Sequence, residues 1–161
     1  MLRDELLVRK KADQEMRFKR TLDQRVDRRN TAWLKKIIKE YGWPDRKLVG
    51  KQGSSAAWLL AQHADHDLVF QKDCLVLMLK SFKAGLVEAQ HVALLTDRVK
   101  VRHGQRQVYG TQFYRRKNGR LYPRPIKDKK GLAERRKKMG LGSFEEYQKR
   151  MLARDNDLQK Q

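Results

Sequence analysis

Apolar residues recur at helical spacing along most of this chain. Trp33, Leu34, Ile37, Ile38 and Tyr41 predict a helix that Asn30 or Thr31 could cap and that Gly42 and Pro44 end. Before it, apolar positions are sparse among Arg, Lys, Gln, Glu and Asp, which predicts an exposed or partly docked basic helix over residues 1–29. Asp45 to Gly53 holds two glycines and no period, so it reads as a loop. Ser54 or Ser55 can cap a helix running to His63–His66, with Ala56, Leu59, Leu60 and His63 on one face. The broadest stripe, Phe70, Cys74, Leu77 and Met78 with Leu75, Leu79 and Phe82 beside it, predicts a central helix from about Leu68 to Lys83, stopped by Gly85.

A further helix begins near Glu88, carries His91, Leu94 and Leu95, and runs into Asp97-Arg98. There the period changes: Val99, Val101 and His103 alternate with Arg98, Lys100 and Arg102, the pattern of a half-buried strand. Gly104 marks a turn, Gln107 to Phe113 a return strand, and Asn118-Gly119 a tight turn before Leu121-Tyr122. Pro123 and Pro125 break the pairing. The fold expected is mainly α (α+β), with a small antiparallel hairpin or meander near residues 98–123. A short helix is expected in the basic segment 127–138. Ser143 with Glu146 forms a capping box for a last helix bearing Phe144, Tyr147, Met151 and Leu152. The organisation expected is a basic N-terminal helix over 1–29, one globular domain over 30–155 and a frayed tail over 156–161.

Charge changes this picture most. Lys and Arg number 39 against 19 Asp and Glu in 161 residues, a formal charge of +20 that repels itself in a compact chain unless anions lie nearby. The partner expected is a polyanion: nucleic acid, a phosphate ligand, or an acidic protein that masks the charge. No apolar run is long enough for a transmembrane helix, and Met-Leu-Arg-Asp-Glu is charged too early for a signal peptide, so a cytoplasmic address is the default. Delivery as a toxin-like effector masked by an acidic partner would leave no such signal and stays open. The single cysteine, Cys74, allows no intrachain disulfide and sits in an apolar run, as a small buried hydrophobe would.

No phosphate-binding glycine loop, dinucleotide fingerprint, zinc pattern of cysteines or nucleophile elbow is present, so the cofactor is unknown and no metal site is assigned. Polar residues at core-like positions remain. In Gln62-His63-Ala64-Asp65-His66 the two imidazoles share a helix face, but a metal would need a further ligand. His63 reads either as a satisfied core histidine or as an acid–base group. Asp97 could orient an imidazole and Arg98 clamp an anion, or both could pair with neighbours. In the strand reading, Gln107, Tyr109 and Thr111 share one face and Val108, Gly110 and Gln112 the other, with Gln112 a buried amide if the valine side faces the core. Gly110 in a strand suggests close approach by another group.

These stretches resemble a largely bacterial family catalogued as domain of unknown function 6624. The residues that carry the resemblance are Gly42-Trp43-Pro44, Leu48-Val49-Gly50, Ala57-Trp58-Leu59 with Gln62-His63-Ala64-Asp65, Leu95-Thr96-Asp97-Arg98-Val99, Gly104, Gln107, Tyr109-Gly110-Thr111-Gln112, Pro125-Ile126 with Asp128, and Arg135-Arg136. They span most of the chain from about residue 30 onward. The resemblance implies that these polar residues belong to the family motif, and it supplies no activity.

Two readings follow. In the first the chain is an enzyme of transfer or hydrolysis on a nucleotide, nucleic acid or other phosphate-bearing substrate, with His63, Asp97, Arg98 and Gln112 catalytic in one pocket and Gln62, His66, Gln107, Tyr109 and Thr111 holding substrate. In the second it is a non-catalytic binding module. There Arg115, Arg116, Lys117, Arg120, Arg124, Lys127, Lys129, Lys130, Arg135, Arg136, Lys137 and Lys138 contact phosphates, and Tyr114 and Tyr122 stack on bases.

Overall fold

The computed structural model describes residues 1–19, 21 and 23–159. Among them are seven helices and one two-stranded antiparallel sheet, so the chain is mainly α with a small hairpin. Cα proximity divides it into two compact units, Met1–Val92 and Ala93–Gln161.

The first unit contains α1 (Leu2–Phe18), α2 (Gln24–Tyr41), α3 (Arg46–Gln62) and α4 (Leu68–Lys83). The basic stretch expected as one helix is therefore two, and Asn30 and Thr31 lie inside α2, buried, while Asp23 caps it by accepting from the Arg25 amide. Residues 46–53 are helical where a loop was expected. Asp45 supplies the cap through the Lys47 and Leu48 amides at 2.9 and 3.2 Å, which sequence spacing alone did not disclose. Gly50 interrupts α3 at φ +71°, a left-handed conformation that glycine adopts without the Cβ clash. α1 packs along α3, which also contacts α2 and α4. The core there holds Leu6, Leu34, Ala57, Leu60, Ala61, Cys74 and Met78. Cys74 is fully enclosed, and burial pushes its thiol well above the ordinary range, as suits an inert core residue.

α5 (Ala89–Arg102) begins in the first unit and ends in the second. It corrects the strand expected at 98–103. Val92, Ala93, Leu95, Asp97 and Val99 are all buried, a stripe broad enough for a helix enclosed on much of its surface. The short alternation at Val99–His103 mimicked a strand because two basic residues fell between β-branched ones. His103 instead closes the helix, its ring 2.8 Å from the Val99 carbonyl.

In the second unit β1 (Phe113–Arg115) pairs with β2 (Leu121–Pro123), followed by α6 (Leu132–Lys138) and α7 (Phe144–Gln159). The turn at Asn118-Gly119 is present, with Gly119 at φ +79°. Gln107 makes only an isolated bridge to Ile126, so the return strand expected from Gln107 is a loop until Phe113. Ser143 caps α7 through the Glu146 amide at 3.2 Å. That helix continues through Gln159, where fraying was expected from 156; residues 160 and 161 lie outside the described residues. No helix among the described residues is long and apolar enough to cross a membrane.

Candidate acid–base site and the carboxylate-pinned loop

Leu6, Asp13 and Met16 are the buried positions of α1, so Asp13 occupies a place in the inward stripe where an apolar side chain would ordinarily sit. Its side chain is 0% exposed and reaches His63, the residue that closes α3. The His63 Nδ1 lies 2.8 and 3.0 Å from the two Asp13 oxygens. Gln14 donates to the same carboxylate at 2.9 Å and Arg17 Nε at 3.3 Å, while Arg17 also reaches Asp27 at 2.7 Å. Arg17 Nε stands 3.0 Å from Nδ1 as well. A carboxylate can only accept, so the Asp13 contact requires the proton on Nδ1, and Arg17 then serves Asp13 and Asp27. Nε2 is left as the basic nitrogen of the neutral ring, on a side chain 13% exposed.

Burial acts to raise the Asp13 carboxyl, but the His63 hydrogen bond and charge, with Gln14 and Arg17, outweigh it and hold the group below its ordinary value. The turn that carries His63 is itself tied down. Gln71, 0% exposed, donates to the Ala61 and Gln62 carbonyls at 3.3 and 3.0 Å and to Asp65 at 3.2 Å. One turn earlier on α3, Trp58 stacks on His91 with centroids 4.0 Å apart and planes 8° from parallel. Desolvation takes the His91 imidazole down to about 4, so it is neutral at pH 7. His66 is exposed at the end of this segment. Among the described residues, no group of three or more His, Cys, Asp or Glu could hold a metal ion.

Asp97 belongs to the second unit and has a different occupation. Its oxygens accept from the backbone amides of Val108, Tyr109 and Thr111 at 2.7, 3.0 and 2.9 Å and from the Thr111 hydroxyl at 2.9 Å. Expected to orient an imidazole, it instead pins the loop 108–111; the carboxylate on His63 is Asp13. Gln107, not Gln112, is the buried amide: it donates to the Gln112 and Arg124 carbonyls at 3.0 and 2.7 Å and accepts from the Gln112 amide at 2.8 Å. The Gln112 side chain donates to the Thr111 hydroxyl at 3.3 Å and stays partly exposed. Gly110 sits at φ +71° with the Phe144 ring so close that a Cβ would lie 2.8 Å from it, which is the close approach its place in the chain suggested. His63, Gln62 and His66 thus lie in the first unit, and Asp97, Arg98, Gln107, Tyr109, Thr111 and Gln112 in the second.

The model of a family described as a family of unknown function, DUF6624, matches residues 2–159. The chain belongs to that family. No curated protein and no solved structure matches it. The match begins at residue 2, so α1 with Asp13 and Arg17 lies within the DUF6624 region, ahead of the stretches that carried the resemblance in sequence.

In this DUF6624 chain three of the twelve cations expected to contact phosphate are spent inside the fold. Arg136 is 1% exposed and donates to the Gly142 and Tyr109 carbonyls at 2.8 and 2.7 Å, with its guanidinium 5.1 Å from the Tyr147 ring centre. Arg135 holds the Val108 carbonyl at 3.0 Å and Asp128 at 2.9 Å. Arg115 pairs with Asp155 on α7. Sequence could not separate these from their neighbours, because a run of like charges says nothing about which members face inward. Arg116, Lys117, Arg120, Arg124, Lys127, Lys129, Lys130, Lys137 and Lys138 are exposed.

Proposed function

We propose that the protein is an enzyme of transfer or hydrolysis on a phosphate-bearing substrate, with His63 as the acid–base group and Asp13 as its positioning residue. The observation that carries this reading is the 2.8 Å contact between His63 Nδ1 and a carboxylate that is 0% exposed. That contact fixes the tautomer and ring direction and stabilises the imidazolium formed when Nε2 takes a proton. Arg17 holds Asp13 and Asp27 together, so the carboxylate cannot swing away when the ring becomes charged. In the step proposed, Nε2 removes the proton from water or a hydroxyl as that oxygen bonds to phosphorus. The P–O bond to the leaving group breaks, and the leaving oxygen departs with a proton from Nε2. The formal charge of +20 supports an anionic substrate.

The test is release of product from bis(p-nitrophenyl) phosphate, nucleoside triphosphates and a short RNA. Turnover on at least one is expected, with a loss of about 10²-fold or more in His63→Gln, while circular dichroism and melting temperature stay close to the parent. Absence of turnover on all three, or full turnover in His63→Gln, would overturn the assignment.

A further inference from the structure

The hairpin has two unlike faces. Tyr114 stands opposite Tyr122, while Phe113 and Arg115 stand opposite Pro123 and Leu121, so alternation puts both tyrosines on one face. The other face is occupied: Phe113 lies 6.0 Å from the Tyr147 ring and Arg115 pairs with Asp155, both on α7. The tyrosine face carries guanidinium groups instead. Arg116 lies 4.2 Å from the Tyr122 ring centre and Arg124 4.7 Å from that of Tyr114, and the two rings are 6.3 Å apart. Arg116, Arg120 and Arg124 are exposed, and no carboxylate among the described residues forms an ion pair with them. Between residues 112 and 130 there are eight Lys and Arg against one acidic residue, Asp128, whose charge is already held by Arg135 and the Lys130 and Gly131 amides.

We propose that this face binds single-stranded nucleic acid, with bases stacking on Tyr114 and Tyr122 and phosphates neutralised by Arg116, Arg120 and Arg124. Stacking platforms interleaved with cations suit unpaired bases, because every base presents a π-face once it is out of a duplex. In a duplex those faces are covered, and only the phosphate contacts remain. A ring alone would bind apolar matter and a cation alone any polyanion; their alternation on a two-stranded ribbon selects a ligand that has both flat rings and phosphates. Arg–Tyr stacking could equally serve to stiffen so short a hairpin, so the test must separate the two roles. The surface names a substrate class for the enzyme reading, yet it rests on other residues. Binding is measured without turnover, so its failure leaves the His63 assignment standing, and the reverse.

The experiment is fluorescence anisotropy of the full chain with a labelled 12-nucleotide oligo(U), an oligo(dT) and a duplex, across a salt series. The single strands should bind more tightly than the duplex. Tyr114→Ala/Tyr122→Ala should weaken single-strand binding by at least about tenfold with the salt slope retained. Arg116→Gln/Arg124→Gln should reduce the slope of log affinity against log salt by roughly 1. Tyr114→Phe/Tyr122→Phe, which keeps the rings, should bind like the parent and controls for hairpin folding. Equal affinity for duplex and single strand, or no loss in the Ala pair alongside an unchanged melting temperature, would reduce the surface to a general polyanion contact and overturn the proposal. A preference for vesicles of anionic lipid over oligonucleotide would do the same.

Discussion

Each unit buries one carboxylate completely, Asp13 in the first and Asp97 in the second, and the two are used in opposite ways. Asp97 gives its lone pairs to three backbone amides and a hydroxyl, all within residues 108–111. Asp13 gives its lone pairs to side chains, one of them an imidazole with a second nitrogen to spare. A carboxylate bound to amides can only hold shape, since amides neither titrate nor move charge. A carboxylate bound to imidazole sets the basicity of a group that does both. The buried arginines repeat the contrast: Arg136 is spent on carbonyls, whereas Arg17 bridges two carboxylates beside His63. Motif membership therefore does not identify chemistry, because Asp97, Gln107, Arg135 and Arg136 act as staples of one loop.

The largest expected effect follows from removing the loop's staple. Asp97→Ala leaves the Val108, Tyr109 and Thr111 amides without their partner in a region where water cannot replace it. The expected loss is about 3–5 kcal/mol of stability, read by urea unfolding. A loss under 1 kcal/mol would mean that the loop holds itself and that Asp97 is free for another role.

A smaller effect separates the units by pH. The folded His91 is held near 4 against an ordinary 6.5, so between those values the unfolded chain binds the extra proton and the folded one does not. Stability must then fall as pH drops from about 6.5 to about 4, by about 3 kcal/mol in all. His91→Leu should flatten that slope, and Trp58 emission, read beside its stacked partner, should stay constant until pH nears 4. A slope unchanged in His91→Leu would place the proton uptake elsewhere.

How much of this could be read in the chain depended on distance along it. The helix at Leu68–Lys83, the Asn118-Gly119 turn and the Ser143–Glu146 cap were legible because each is written in residues a few positions apart. The strand misread at 98–103 shows the limit of that local rule, since five residues of alternation are compatible with a helix whose burial is set by neighbours. His63 stood out, but its partner lies fifty positions earlier in a helix so polar that an aspartate attracts no notice. The signal was present in a weak form: Leu6, Asp13 and Met16 follow one stripe, and an acid in such a stripe needs a reason. Gln71 was hidden likewise, a glutamine among apolar residues whose use appears only when the α3 turn is in place.

The smallest effect on stability is expected at Asp13 itself, and it sharpens the contrast with Asp97. Asparagine at position 13 keeps an oxygen that can accept from His63 Nδ1–H, and Arg17 keeps Asp27, so no buried donor is orphaned. Asp13→Asn should cost about 1–2 kcal/mol at pH 7, well below Asp97→Ala. Its pH signature has a definite sign. The folded Asp13 carboxyl is held below the ordinary 3.8, so its contribution is fully present above that value and is lost as pH falls through the lower folded one. The parent should lose stability relative to Asp13→Asn as pH is taken below about 4, and unfolding midpoints at pH 7 and pH 3 measure it. Equal pH dependence in parent and variant would mean that Asp13 carries no charge stabilised by His63 and Arg17. The carboxylate would then hold shape alone, as Asp97 does, and the case for His63 as an acid–base group would lose its footing.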